Sequence, residues 1–355
     1  MTQAILDLTP EAARAALGEW LAARGEAAYR LRQIVPRLWA RPVARWHDAT
    51  DLPDALRAAL DAAFPLTRLS LSTRQVSRDG TEKFLWDLGD GEAIESVLIP
   101  EGKRRTLCIS SQAGCALGCV FCATGRMGFR RNLSTAEIAG QVRELVLTSP
   151  ERKPTNVVFM GMGEPLLNWE AVDAALTILN HADGFEIGAR HITVSTVGIV
   201  PNLAKLARRP EQFRLALSLH APTPALRHEL MPIEKKYKLA EVLEALNAFR
   251  RRVTLEYVLI GGKNDSLAAA DHLAQIARKL GALVNLLPLH PGGADGLTPS
   301  PHADMLAFER RLKSHGVEAV LRRSRGLDIS AACGQLRVEV QARGKVRAEE
   351  YGRVE

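Results

Sequence analysis

From residue 106 to residue 322 the chain alternates short apolar runs with amphipathic stretches of helical period, and this alternation confines it to few folds. The apolar runs are "NVVFM", "HITVST", "FRLALSL", "VTLEYVLI", "LVNLLPL" and "VEAVLR". Between them stand "STAEIAGQVRELVL", "NWEAVDAALTILNHA", "KLAEVLEALNAFRR", "SLAAADHLAQIARKLG" and "HADMLAFERRLKSHG". A strand followed by a helix and another strand pairs in parallel, because the helix returns the chain to the starting edge of the sheet. About six such units predict an α/β fold, a partial TIM-like barrel of the (β/α)6 kind. An open doubly wound sheet has the same pattern. Ser134 and Glu137 form an S-x-x-E capping box that starts the first helix, and Gly281 ends a later one.

Residues 1–66 read differently. "TPEAARAALGEWLAARG" offers Thr9 as N-cap, Pro10 at the first helical position and Gly25 as a stop, and two shorter helical stretches follow. Over 67–100 the period shortens: "LSLSTRQVS", "EKFLWDL" and "AIESVLIP" are separated by "RDGT" and "GDGE", the punctuation of hairpins. We therefore expect a helical accessory domain over 1–66, connecting β segments over 67–100, a core over 101–335 and a tail over 336–355.

No run approaches the roughly 18 apolar residues of a membrane span, and the N-terminus lacks the basic and apolar segments of a signal peptide. The expected location is the cytoplasm, with no membrane partner. Five cysteines in a reducing compartment read as metal ligands or redox groups before disulfides. A net charge of +7, with arginine and lysine clustered at 103–105, 126–131, 235–238, 250–252 and 322–325, suits a phosphate backbone, although a solvated basic surface has the same composition. Aromatic residues make up only 5%, too few for an extended base-stacking platform.

The sharpest motif is "CALGCVFC", which sets Cys115, Cys119 and Cys122 at C-x3-C-x2-C spacing with no fourth cysteine nearby. Structural zinc takes four ligands, usually from two separated knuckles, and Cys108 and Cys333 have no knuckle spacing. An iron–sulfur cubane usually takes four thiolates, so three leave one iron with an open position. The triplet follows "TLCISS", a strand, and so stands at the C-terminal mouth where such folds place their sites.

This triplet, with an aromatic residue before its last cysteine, resembles the radical S-adenosylmethionine (SAM) superfamily. "CATGRMGFRRNLSTAEIAGQV", "VFMGMGEPLLN", "ALSLHAP" and "RGLDISAACGQL" together resemble the RlmN family, over roughly residues 95–340. That resemblance implies a methyltransferase acting on carbon 2 of an adenosine in 23S ribosomal RNA and in tRNA. The sister Cfr enzymes, which act on carbon 8, are the runner-up. It implies a 4Fe–4S cluster on Cys115, Cys119 and Cys122, whose open iron chelates SAM, and two SAM molecules per turnover. Gly163, Glu164, Ser195, Ser218, Leu219, His220 and Asn285 match SAM contacts. Read alone, a glycine turn is a weak motif, and His220 and Asn285 are as readily caps of strand-end backbone.

The resemblance also gives the two remaining cysteines a role. Adenine C2 lies between two ring nitrogens and is too electron-poor to attack a methyl donor. By resemblance, Cys333 takes a methyl group from one SAM and hydrogen abstraction turns it into a carbon radical that adds to the ring. Glu95 then accepts the C2 proton and Cys108 resolves the RNA–protein adduct, leaving a Cys108–Cys333 disulfide to be reduced. Singly, Cys108 reads as a buried strand residue, Cys333 as a loop residue and Glu95 as a solvent-facing glutamate. The implied partners are 23S rRNA, tRNA and a flavodoxin-like electron donor, and the implied state is a monomer. Two rivals remain: a radical SAM enzyme with a non-RNA substrate, and a zinc-binding RNA module without catalysis. "LLPLHPGGADGLTPSP", Leu327 and Ser330 depart from the family's usual wording, which bears on substrate range more than on reaction type.

Overall fold

The apolar runs become strands of one sheet in the computed structural model, which describes residues 4–249, 251–290 and 296–336. In chain order the strands are β1 (Ser70–Val76), β2 (Glu82–Asp87), β3 (Ala93–Glu101), β4 (Arg104–Cys108), β5 (Gln112–Gly114) and β6 (Phe129–Asn132). They continue with β7 (Asn156–Phe159), β8 (Ile192–Thr196), β9 (Arg214–Ser218), β10 (Thr254–Leu259), β11 (Leu283–Pro288) and β12 (Ala319–Leu321). Ten of them form one sheet in the order β1-β2-β3-β4-β7-β8-β9-β10-β11-β12. β1 to β4 pair antiparallel, and every ladder from β4 to β12 is parallel.

The α/β architecture is therefore the expected one. Seven parallel strands stand where six units were expected, because the strand leading into the cysteine motif joins as β4. Among the described residues no ladder joins β12 back to the first strands, so the sheet is open and not a closed barrel. The hairpin strands expected as a connector are the antiparallel flank of this same sheet, with Val97 of β3 opposite Cys108 of β4.

Local sequence sets the helix boundaries as anticipated. Ser134 and Glu137 form the complete capping box of the helix Thr135–Thr148. Thr9 caps Pro10–Ala23, and Gly281 takes a left-handed conformation, φ +59°, after Leu267–Leu280. Apart from the four-residue helix Ala123–Arg126, two helices went unread, Val200–Ala207 and Pro224–Leu230. Each has a proline in its first turn, where a missing N–H costs nothing. A second small sheet, β5 with β6, also went unread because its strands have 3 and 4 residues. Of the expected tail, Leu336 is described; residues 337–355, and Arg250 of one basic cluster, lie outside the described residues.

The N-terminal helices share one continuous apolar core with the rest of the chain, including Ile5, Leu17, Trp39 and Trp46. The attachment is also polar. Arg143 is 2% exposed, and its guanidinium donates to the carbonyl oxygens of Leu38 (2.9 Å) and Val43 (2.5 Å). Burial pulls the Arg143 pKa down to about 10. Asp7 accepts from the backbone N–H of Ala136 (2.7 Å), at the start of the same helix.

Replacing Arg143 with Ala leaves both carbonyls without their donor inside the interface. We expect Arg143→Ala to lose about 2–4 kcal/mol of unfolding free energy, measured by urea denaturation, with earlier exposure of the N-terminal tryptophans in fluorescence. An unchanged midpoint with unchanged tryptophan emission would contradict this anchoring role.

Candidate functional site

The cysteine motif is the end loop of the β5–β6 hairpin. Gly114 (φ +72°) lies so close to its partner strand that a Cβ there would stand 2.0 Å from the carbonyl oxygen of Gly128. Next to it the N–H of Cys115 donates to that same oxygen (3.0 Å), closing the loop. Inside, a Cβ on Gly125 would stand 3.1 Å from the Cys119 nitrogen, so the turn tolerates little beyond glycine. The loop is fastened outward by Val120 N–H to Leu230 O (3.1 Å) and by Ala123 N–H to Gly334 O (2.8 Å).

Cys115, Cys119 and Cys122 all line one cavity of about 1080 Å³, part of it open to solvent. Its floor is the C-terminal ends of β7 to β11, as the strand–helix alternation predicts. Burial pushes the Cys115 thiol up to about 12 and raises Cys119 further, with the neighbouring thiols adding to the shift. Among the described residues no three His, Cys, Asp or Glu side chains are placed to hold a single ion. The donor set itself is three soft sulfurs, the ligands of iron–sulfur centres, and binding there must drive off their protons.

Six further sequence-predicted residues face the same cavity: Gly163, Glu164, Ser195, Ser218, His220 and Cys333. Gly163 has φ +93°, and a Cβ on it would meet the Gln112 side chain at 2.5 Å. The glycine therefore lets the turn after β7 pack against β5. Glu164 is 2% exposed, and its carboxylate accepts from Leu166 N–H (2.9 Å) and Val197 N–H (3.0 Å), tying that turn to the loop after β8. Burial pushes its pKa up to about 7 despite those bonds. Ser195 and Ser218, at the ends of β8 and β9, have their hydroxyls 3.3 Å apart. His220 accepts at Nδ1 from Val258 N–H (3.1 Å), which leaves its proton on Nε2. Burial, then the Arg227 charge, pulls it down to about 3, so the ring is neutral. Its edge meets Phe121, the aromatic residue of the cysteine motif, with centroids 4.7 Å apart.

Cys333 is accessible from the cavity, yet protein surrounds it closely enough that burial pushes its thiol up to about 11. Glu256, Arg322 and Cys122 act on its charge in turn. Cys108, at the end of β4, is 8% exposed and off the cavity wall; burial raises its thiol, and Cys333 is the next cause. Thus the two cysteines outside the triplet lie within electrostatic reach of each other. Glu95 is 4% exposed, so the solvent-facing alternative does not hold: its carboxylate pairs with Lys83 at 3.0 Å. Leu219 and Asn285 also lie off the wall. Leu219 packs in the core, and Asn285 turns its amide to Glu256 Oε1 (2.9 Å).

Glu256 itself was missed. It lines the cavity at 7% exposure on β10, directly beside Ser218 and Asn285 in the ladder, and burial raises its pKa. A signal existed: a lone glutamate inside "VTLEYVLI", in a strand that otherwise reads as buried on both faces. Lys83 had no such signal, because a lysine in a hairpin strand is commonplace.

Comparison with known proteins agrees with this geometry. The Radical SAM superfamily pattern matches residues 109–274. A protein from Gemmatimonas aurantiaca named "Probable dual-specificity RNA methyltransferase RlmN" is 58% identical over 351 residues, covering 99% of this chain and 98% of that one. One from Anaeromyxobacter sp., named "Dual-specificity RNA methyltransferase RlmN", is 46% identical over 331 residues, covering 90% and 87%. The crystal structure of a radical SAM methyltransferase from Sphaerobacter thermophilus superposes with a TM-score of 0.88 at 44% identity, covering 95% of this chain and 99% of that one. With such identity over nearly the whole length, the chain belongs to the RlmN family of the radical SAM superfamily.

Proposed function

We propose that this radical SAM RNA methyltransferase methylates carbon 2 of adenosine in 23S rRNA and in tRNA, with Cys333 carrying the methyl group and Cys108 resolving the product. One observation carries the reading: Cys333 faces the cavity that holds Cys115, Cys119 and Cys122, although it comes from a distant part of the chain. A methyl donor bound at the triplet is therefore within the same enclosure as the sulfur that would receive the group. Cys115, Cys119 and Cys122 would hold a 4Fe–4S cluster and leave SAM its fourth iron. When bound, that pair supplies the hydrogen-atom abstraction an unactivated methyl group requires.

The chain's own residues do the rest. Glu164 and Glu256 are the acidic side chains on the cavity wall among the described residues, and a sulfonium cation such as that of SAM beside them would favour their ionised forms. Asn285 orients Glu256 by donating to one oxygen, and the other has no protein donor among the described residues. Glu95, held beside the Lys83 ammonium, is the proton acceptor in this reading. The exposed bases stand elsewhere: Arg126 and Arg130 beside the cysteine loop, Lys235 and Lys236 after the wall residue Met231, and Arg322 and Arg323 on the segment leading to Cys333. They supply the counter-charge for RNA while the cavity stays free of cations. The N-terminal helices, anchored through Arg143, extend that RNA surface.

Mass spectrometry of RNA incubated with enzyme, SAM and reductant should place the new methyl on C2; methylation at C8 or none would refute the assignment. Cys333→Ala should abolish methyl transfer while keeping iron content. Cys108→Ala should accumulate RNA covalently linked through Cys333, seen as a nuclease-sensitive mass increase, and a variant free of RNA would refute the relay.

Glu164 predicts a pH effect on folding. Its carboxyl ionises near 4.5 when unfolded and at about 7 when folded, so the folded state holds the extra proton between those values. Its contribution is complete below pH 4.5 and is lost as pH rises through 7. In iron-free protein the parent should lose roughly 3 kcal/mol more than Glu164→Gln across that window; parallel stability curves would contradict the buried, raised carboxyl.

A further inference from the structure

Cys333 sits on a strap from Arg322 to Leu336 whose one regular element is a single helical turn at Leu327–Ile329. Both ends are fastened next to the cavity. Arg322 N–H donates to Leu286 O (2.9 Å), and the Ser324 hydroxyl lies 2.6 Å from His290 Nε2. At the far end Ala123 N–H donates to Gly334 O (2.8 Å), and the Thr124 hydroxyl to Leu336 O (2.6 Å).

The middle is gripped by a part of the protein with no place in the chemistry above, the turn between β1 and β2. Asp328 accepts the Ser77 hydroxyl at Oδ1 (2.5 Å) and Arg78 N–H at Oδ2 (3.2 Å). From the opposite side, Asp79 accepts Gly326 N–H at Oδ2 (3.0 Å) while its Oδ1 accepts Thr81 N–H (2.9 Å). One carboxylate thus shapes its own turn and holds the strap. The two segments touch there: a Cβ on Gly326 (φ +63°) would stand 2.9 Å from Thr81 Cγ2 and 2.8 Å from Ala331 Cβ. Lys83 reaches Ser330 O (3.5 Å) with the ammonium that also pairs with Glu95 (3.0 Å), so the hairpin touches both the strap and the expected proton acceptor. Against the opposing pull of partial burial, bonds from Gly326 and Thr81 hold Asp79 at about 2, and the Ser77 hydroxyl with Arg78 N–H lowers Asp328. Both side chains are ionised acceptors, the stronger kind of hydrogen-bond partner.

We propose that the β1–β2 turn is a clasp for the Cys333 strap, with Asp79 and Asp328 as positioning residues that fix where the Cys333 thiol stands against the cavity. The proposal rests on the reading of Cys333 as methyl carrier. A carrier sulfur must meet a donor and then an acceptor, and a segment with so little regular structure has no helix or strand to aim it. Distant tethers supply that aim, and a misplacement of even about 1 Å is costly in rate.

Asp328→Ala removes two strap bonds from an exposed side chain and leaves the hairpin turn its own bonds; Ser77→Ala removes one strap bond together with the turn bond its hydroxyl accepts from Asp79 N–H (3.3 Å). The full-length variants are purified iron-free and reconstituted anaerobically before any SAM is added. We expect iodoacetamide to label Cys333, read by peptide mass spectrometry, about tenfold faster in Asp328→Ala and by a smaller factor in Ser77→Ala. Iron content and melting temperature should stay near the parent's, and Ser77→Ala keeps the comparison should Asp328→Ala melt early. The yield of methylated RNA per SAM cleaved should fall about tenfold in Asp328→Ala. Unchanged labelling overturns the clasp, and faster labelling with an unchanged yield overturns its role in transfer. Labelling needs neither RNA nor turnover, so a parent protein that methylates no RNA refutes the proposed function while the labelling rate still decides the clasp.

Discussion

One main-chain hydrogen bond joins the two halves of the site: the amide of Ala123, next to Cys122, donates to the carbonyl of Gly334, next to Cys333. Because it links backbone to backbone, side-chain rotation on either segment leaves it in place. Gly334 adopts φ +79° to present its carbonyl, and a Cβ there would stand 3.3 Å from Phe121 O, so the strap lies directly against the cysteine loop. The β5–β6 hairpin closes the loop, and the Thr124–Leu336 bond repeats the linkage one residue further along the loop and two along the strap. This seam is where the strap meets the cysteine loop itself, while its other tethers reach β11, His290 and the β1–β2 turn.

The cavity and the exterior differ in the ionisable residues they present. The chain bears +7 overall, yet the acidic residues Glu164 and Glu256 line the cavity, and no Lys or Arg does among the described residues. The acidic residues thus stand inside the cavity while basic residues such as Arg126, Lys235 and Arg323 are exposed on the exterior. Burial is the common cause of the shifted groups. It raises the thiols and the two glutamates and keeps His220 neutral, all by penalising charge where water is scarce.

Much of this was legible in the residues. The parallel strands were readable because they are short apolar runs, most of them separated by helical stretches with their own start or stop signals, as with Ser134 and Gly281. The C-x3-C-x2-C loop was readable because ligand spacing within one loop is local. Glu256 was partly legible as an acid in an apolar strand. Lys83, Asp79 and Asp328 were not, because their importance lies in partners far along the chain: Asp328 binds the turn at Ser77 and Arg78, and Lys83 reaches Ser330. The β5–β6 hairpin escaped because 3- and 4-residue strands have too few alternations to register a period.

By itself the amino-acid sequence determined what depends on neighbours a few residues apart: helix boundaries, strand order of appearance, the triplet and the family it marks. Only the tertiary structure decided that the sheet stays open among the described residues, that the N-terminal helices are riveted on by Arg143, and that Cys333 shares a cavity with the triplet. The physical reason is the range of the interactions. Caps, periods and ligand spacings act within a turn or two of backbone, whereas burial, cavity electrostatics and the grip of the β1–β2 turn on the strap exist only once remote segments have packed.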